Sequence, residues 1–133
     1  MKNLMLCLLV AISCELSAQK EVKTFFDNGV VKSSYKYTDL NNYEVTNFYT
    51  SGKPMETGSF VNGKMNGLWV SYSEAGLKSG EATYVNGIKS GEWKIYDESG
   101  ALKYKILYAD NHIVSASNFD AAGKAVAETR SGK

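Results

Sequence analysis

One histidine, one proline, two cysteines and a net charge of only +1 are the scarcities of this 133-residue chain, and each removes a class of chemistry. A hydrolytic triad needs a base beside its nucleophile, but His112 stands alone without a Ser-His-Asp or Cys-His context. It reads as a solvated turn residue. Metal sites need clustered His, Cys or carboxylates at ligand spacing, and only scattered Asp and Glu are present, so neither a metal nor another cofactor is implied. Fifteen Lys and Arg against fourteen Asp and Glu give no bulk attraction to nucleic acid or to an anionic membrane. With a single proline, the twelve glycines and nine tyrosines favour strands and tight turns, because aromatics fit a pleated surface and glycine supplies positive φ.

The one long apolar run is Leu4 to Ile12, preceded by Lys2. It is far short of the roughly 20 residues that a membrane-spanning helix needs, and it has the make-up of a signal peptide. Small residues Ser17 and Ala18 place the cut after Ala18, giving a signal peptide over 1–18 and a repeat domain over 19–133. The expected location is periplasmic or extracellular. Cys7 and Cys14 both lie in the leader, so the mature chain would hold no disulfide. The alternative is an outer-envelope lipoprotein: Ala11-Ile12-Ser13-Cys14 loosely resembles a bacterial lipobox, and acylation of Cys14 would bring a membrane into contact.

A fixed period runs through the rest. Gly29, Gly52, Gly76, Gly100 and Gly123 recur every 23 or 24 residues, and four positions before each stands an aromatic: Phe25, Phe48, Tyr72, Tyr96 and Phe119. Eight positions after the first four glycines come Tyr37, Phe60, Tyr84 and Tyr108. Seven before stand Val22, Val45, Trp69, Trp93 and, in the last unit, Ala116. Each unit therefore reads as two short strands joined at the periodic glycine. Asn62-Gly63 and Asn86-Gly87 supply the second link, a dipeptide suited to two-residue hairpins with positive φ twice. Successive hairpins predict an all-β, elongated, single-layer twisted sheet of about four and a half units, stabilised by stacking of neighbours. Gly80, Ala82 and Tyr84, like Tyr104, Ile106 and Tyr108, alternate onto one apolar face. Trp69 and Tyr72 have opposite parity, which sends them to opposite faces unless a bulge intervenes.

The stretches Gly58 to Trp69 and Gly80 to Trp93 resemble the MORN repeat, and more closely its bacterial variant, with a G-x-x-x-Y/F-x-N-G-K-x-x-G-x-W core. Leu40-Asn41-Asn42-Tyr43 and Asp110-Asn111-His112 depart from that pattern, as terminal units do. The resemblance implies an antiparallel β array serving as a scaffold or binding surface and not as an enzyme. Some bacterial relatives carry an antitoxin label, but export would separate this chain from a cytosolic toxin. Its balanced charge also supplies no basic face for lipid.

Three constellations compete for chemistry. Glu81 and Glu92 can be read as paired carboxylates of the glycosidase kind, or as a polar row facing solvent. Gly63 with Gly67 and Gly87 with Gly91 lack the following helix of a phosphate cradle, so they are expected to permit turns and close strand packing. The third is the aromatic set Phe48, Phe60, Trp69, Tyr72, Tyr84, Trp93, Tyr96 and Tyr108. With the turn glycines Gly52, Gly76 and Gly100, it is either packing or a binding face for an unidentified protein or envelope polymer.

Overall fold

The computed structural model describes residues 19–132; the expected leader, with Cys7, Cys14 and the expected cut after Ala18, lies outside the described residues. The described chain is one open antiparallel sheet. Its strands are β1 (Lys20–Phe25), β2 (Val31–Tyr37), β3 (Tyr43–Phe48), β4 (Pro54–Val61), β5 (Lys64–Tyr72), β6 (Lys78–Val85), the short β7 (Ile88–Lys89), β8 (Gly91–Tyr96), β9 (Leu102–Ala109), β10 (His112–Phe119) and β11 (Ala125–Arg130). They pair in chain order, with β7 and β8 both on β6. This is the expected meander.

Five turns along one edge share one geometry. In each, the periodic glycine donates its N–H three residues back, as from Gly76 to the Ser73 carbonyl at 2.9 Å, while the Ser73 N–H reaches Leu77 at 2.8 Å. The left-handed glycine, at φ 84° for Gly76, lets the strands part with their twist matched. Each such turn is followed by a register shift at the neighbouring aromatic: Thr24/Phe25, Asn47/Phe48, Ser71/Tyr72, Ile95/Tyr96 and Asn118/Phe119. Along the other edge Asn62-Gly63 and Asn86-Gly87 take positive φ at both residues. Asp110 and Asn111 do the same, at 48° and 67°, so a pair that departs from the repeat pattern makes the same turn. These turns are stitched to one another at the same period: Gly63 N–H to Asn41 O, Gly87 N–H to Met65 O and Asn111 N–H to Lys89 O.

Gly67 and Gly91 correct an expectation. They sit in no turn, and an added Cβ at Gly67 would meet nothing within 4 Å, so close packing is not their task. Both have positive φ, 79° and 65°. Between Thr57↔Val70 and Ser59↔Asn66 strand β5 carries two residues more than β4, and the β7–β8 break opposite β6 repeats that offset. The left-handed glycine accommodates this two-residue offset, whereas at the corresponding Val114 the β9–β10 register shifts by a single residue without positive φ. At the corresponding place in β3 stands Tyr43, and the β2–β3 register runs without a shift.

Very little is buried. Among the described residues, Val45, Trp69 and Val70 are the apolar side chains under a tenth exposed, joined by Ser33 and Ser34. Stability therefore resides in contacts between adjacent strands across a thin sheet, as in other repeat arrays.

Candidate binding face

Cross-strand registers sort the side chains onto two faces. One row runs Val22, Tyr35, Val45, Gly58 and then, past the bulge, Trp69, Ala82, Trp93, Ile106 and Ala116. Beside it Tyr37, Tyr43 and Phe60 begin a second row that Tyr84 and Tyr108 continue. The two rows interlock into a continuous ladder of rings. Tyr35 and Tyr37 contact Tyr43, which stacks on Phe60 at 4.9 Å; Phe60 meets Trp69 edge-on at 5.3 Å, and Tyr84, Trp93 and Tyr108 follow at 6.4, 5.1 and 4.9 Å. Alternating edge and offset contacts are the arrangements that ring quadrupoles favour. The ladder ends under a cation, with Lys89 Nζ 4.9 Å from the Trp93 ring and 5.3 Å from that of Tyr108.

The opposite face is charged. Its central row is Lys23, Ser34, Thr46, Thr57, Val70, Glu81, Lys94, Lys105, Ser117 and Glu128. Glu81 is bound to Lys78 at 2.6 Å and to Lys94 at 3.5 Å, while Glu92 is bound to Lys105 at 3.3 Å. The Lys78 hydrogen bond holds the Glu81 carboxyl below its ordinary range, against the opposing effect of burial. Each carboxylate thus has its own lysine partner.

The sequence-derived set is divided by this geometry. Phe60, Trp69, Tyr84, Trp93 and Tyr108 share the ladder. Phe48, Tyr72 and Tyr96, three positions on from Val45, Trp69 and Trp93, point to the charged face beside the turns, as strand parity dictates. Bulges do occur there, but they do not carry those aromatics back. Gly52, Gly76 and Gly100 are turn residues, Gly63 and Gly87 belong to the two-residue turns, and Gly67 and Gly91 are the bulges. His112 is exposed, its Nδ1 2.7 Å from the Asp110 carbonyl.

Sequence reasoning missed Tyr35 and Tyr43, which lengthen the ladder, although both alternate with Tyr37 across β2 and β3. It also missed the polar chain in the hollow beside the rings. Ser33 Oγ donates to Asn47 Oδ1 at 2.7 Å, and Asn47 Nδ2 donates to Glu56 Oε1 at 2.8 Å. Glu56 reaches far enough to help raise the Tyr84 hydroxyl, after burial and ahead of Tyr108. A hollow of about 360 Å³ lies along Tyr35, Tyr43, Phe60 and Trp69 with Asn47 and Glu56 in its wall. Rings flanked by a carboxylate and an amide can stack against an apolar or sugar-like surface and fix it by hydrogen bonds.

A hairpin unit repeated in phase, with turns and bulges at fixed positions, defines a tandem β-hairpin repeat protein. The family model for the MORN repeat variant matches residues 44–62 and 89–110, and those two stretches of the chain are MORN-variant repeats. A search of curated protein sequences finds no match. Among solved structures the chain is similar to TarM, with a TM-score of 0.48 and 12% identity over 74% of this chain and 21% of that one. It is also similar to a point mutant of S. aureus TarM in complex with Fondaparinux, alpha-GlcNAc-glycerol and UDP, with a TM-score of 0.38 and 12% identity over 83% of this chain. The chain spans 21% of the length of both TarM chains.

Proposed function

We propose that this chain is an exported, non-catalytic binding module whose ring-lined face holds a protein or polymer of the periplasm or cell envelope. The observation that carries the reading is the segregation of the faces. Seven ring contacts run unbroken along one side, whereas on the opposite side Glu81 and Glu92 are each bound by lysine. A row of half-exposed rings favours an extended occupant that meets several at once. Glu81 and Glu92, each neutralised by lysine, supply no free acid and base, which supports a role without turnover.

The immobilised chain is challenged with envelope extract, and Tyr84→Ala and Tyr108→Ala are compared with Tyr72→Ala and Tyr96→Ala on the opposite face. Saturable retention lost only with the first pair supports the proposal. Equal loss with both pairs, or turnover of glycosidase, esterase or peptidase substrates that Glu81→Gln abolishes, overturns it. Mass spectrometry of the native N-terminus decides the route: Gln19 marks cleavage, and an acylated Cys14 marks the lipoprotein alternative.

A further inference from the structure

Among the described strands, β1 and β11 are the two ends of the sheet, each pairing on one side only, and both are exposed at every residue. Exposed edges invite strand addition, and their charges decide which partners they accept. On the charged face β1 presents Glu21 and Lys23 and β11 presents Glu128 and Arg130. Each edge closes its charges on itself, Lys23 to Glu21 at 3.4 Å and Arg130 to Glu128 at 2.9 Å. All four are between 41% and 79% exposed, so both edge pairs remain open to exchange.

The period of the array specifies how the two edges would meet. Residues of β11 stand to Gly123 as those of β2 stand to Gly29, and residues of β1 stand to Gly29 as those of β3 stand to Gly52. Within the chain β2 and β3 pair without a bulge, Ser34 opposite Thr46, Tyr35 opposite Val45 and Lys36 opposite Glu44. Carrying that register to the two edges sets Glu128 opposite Lys23 and Arg130 opposite Glu21 of a second copy, with Thr129 opposite Val22 between them. The strand directions agree with the alternation of the meander. No bulge enters at this register, since β3, with Tyr43 where β1 has Lys20, pairs with β2 without a shift. A slip of two residues either way faces Glu128 with Glu21 or Arg130 with Lys23, so the charges select this register.

We infer that the chain assembles head to tail with copies of itself, β11 of one adding to β1 of the next so that the sheet and its two side-chain rows continue. Opposite charges facing across strands are favourable and like charges are not. Exchanging the signs on one edge should therefore weaken association about tenfold, taking two such contacts together.

The test is sedimentation velocity of the full chain against concentration. Wild type should grow beyond a dimer as concentration rises, and Glu21→Lys with Lys23→Glu should stay smaller at every concentration. Adding Glu128→Lys and Arg130→Glu to that double variant should restore assembly. Circular dichroism of each variant checks that the strands persist. A wild type that stays monomeric overturns the inference. So does a β1 exchange without effect, since a two-fold pairing of β1 with β1 keeps its complementarity under that exchange and a β11 pairing never involves those residues.

Discussion

Trp69 and Trp93 hold the same place in successive units, 24 residues apart, yet they are packed differently. Trp69 is 7% exposed and lies flat on Gly58, where an added Cβ would come within 2.1 Å of its ring. Its Nε1 is buried without a partner among the described residues. The residue corresponding to Gly58 in the next unit is Ala82, which already carries a methyl group. There the indole is half-buried and its Nε1 donates to the Thr83 carbonyl at 3.0 Å. One unit gains apolar burial and leaves a donor unmet; the other satisfies the donor and leaves part of the ring in water. Turns and bulges set where the tryptophan stands, and a single small residue beneath it sets how deeply it sits.

The sharpest test of that contrast removes each ring in turn. Trp69→Ala should cost about 3 kcal/mol, the lower end for a large buried ring on a sheet open to water, and Trp93→Ala about 2 kcal/mol because less area is lost. Urea unfolding of the two variants gives both values. Equal losses would mean that the difference in burial has no energetic counterpart.

Next in size is Gly58→Ala. The ring it meets is pinned between Phe60 at 5.3 Å and Tyr84 at 6.4 Å, so the indole must tilt outward, at about 1 to 3 kcal/mol for overpacking. In the Trp69→Ala background the sign should reverse, to about 0.5 kcal/mol of stabilisation, since alanine restricts the unfolded chain more than glycine does. A Gly58→Ala variant as stable as wild type would remove Gly58 as the cause of the contrast.

Much of this architecture is legible in the residues. The period of the glycines fixes the turn edge, Asn62-Gly63 and Asn86-Gly87 fix the other, and alternation in β6 and β9 identifies the apolar face. Parity alone places Tyr72 opposite Trp69. Three features are hidden for physical reasons. The bulges at Gly67 and Gly91 depend on a register offset, which exists only once two strands are paired. Asp110-Asn111 lacks glycine, but Asn and Asp tolerate left-handed φ, so a shared conformation survives a change of letters. Gly58 differs from the periodic turn glycines in needing space and not positive φ, and that need comes from Trp69, eleven residues away. The division of the aromatics into a ladder and a turn-side set follows from the same alternation, but no single strand reveals that the ladder is continuous.

The smallest effect lies on the reverse of the sheet, where the two units differ again. Behind the Trp69 unit, Thr57 Oγ1 donates to the Val45 carbonyl at 3.1 Å and lies 3.2 Å from Thr46 Oγ1, an arrangement without charge. The corresponding residue behind the Trp93 unit is Glu81, 14% exposed in its side chain and tied to Lys78 and Lys94. Its carboxyl is held below the ordinary value of 4.5 by the Lys78 hydrogen bond, opposed by burial, and then by the Lys78 charge, Tyr96 and Lys94. A carboxyl whose folded pKa is depressed contributes stability above its unfolded pKa and loses it as pH falls through the folded value. The contribution is therefore whole at neutral pH, begins to fall near pH 4.5 and continues to decline below it. An ion pair near the surface limits its size to about 1 kcal/mol. Glu81→Gln should remove that part of the acid sensitivity, so the stability difference between wild type and variant narrows from pH 7 to pH 3, whereas Thr57→Ala should cost the same at both. Urea melts at the two pH values give the comparison, and a Glu81→Gln deficit that is constant with pH would show that Glu81 contributes by packing and hydrogen bonding and not through its charge.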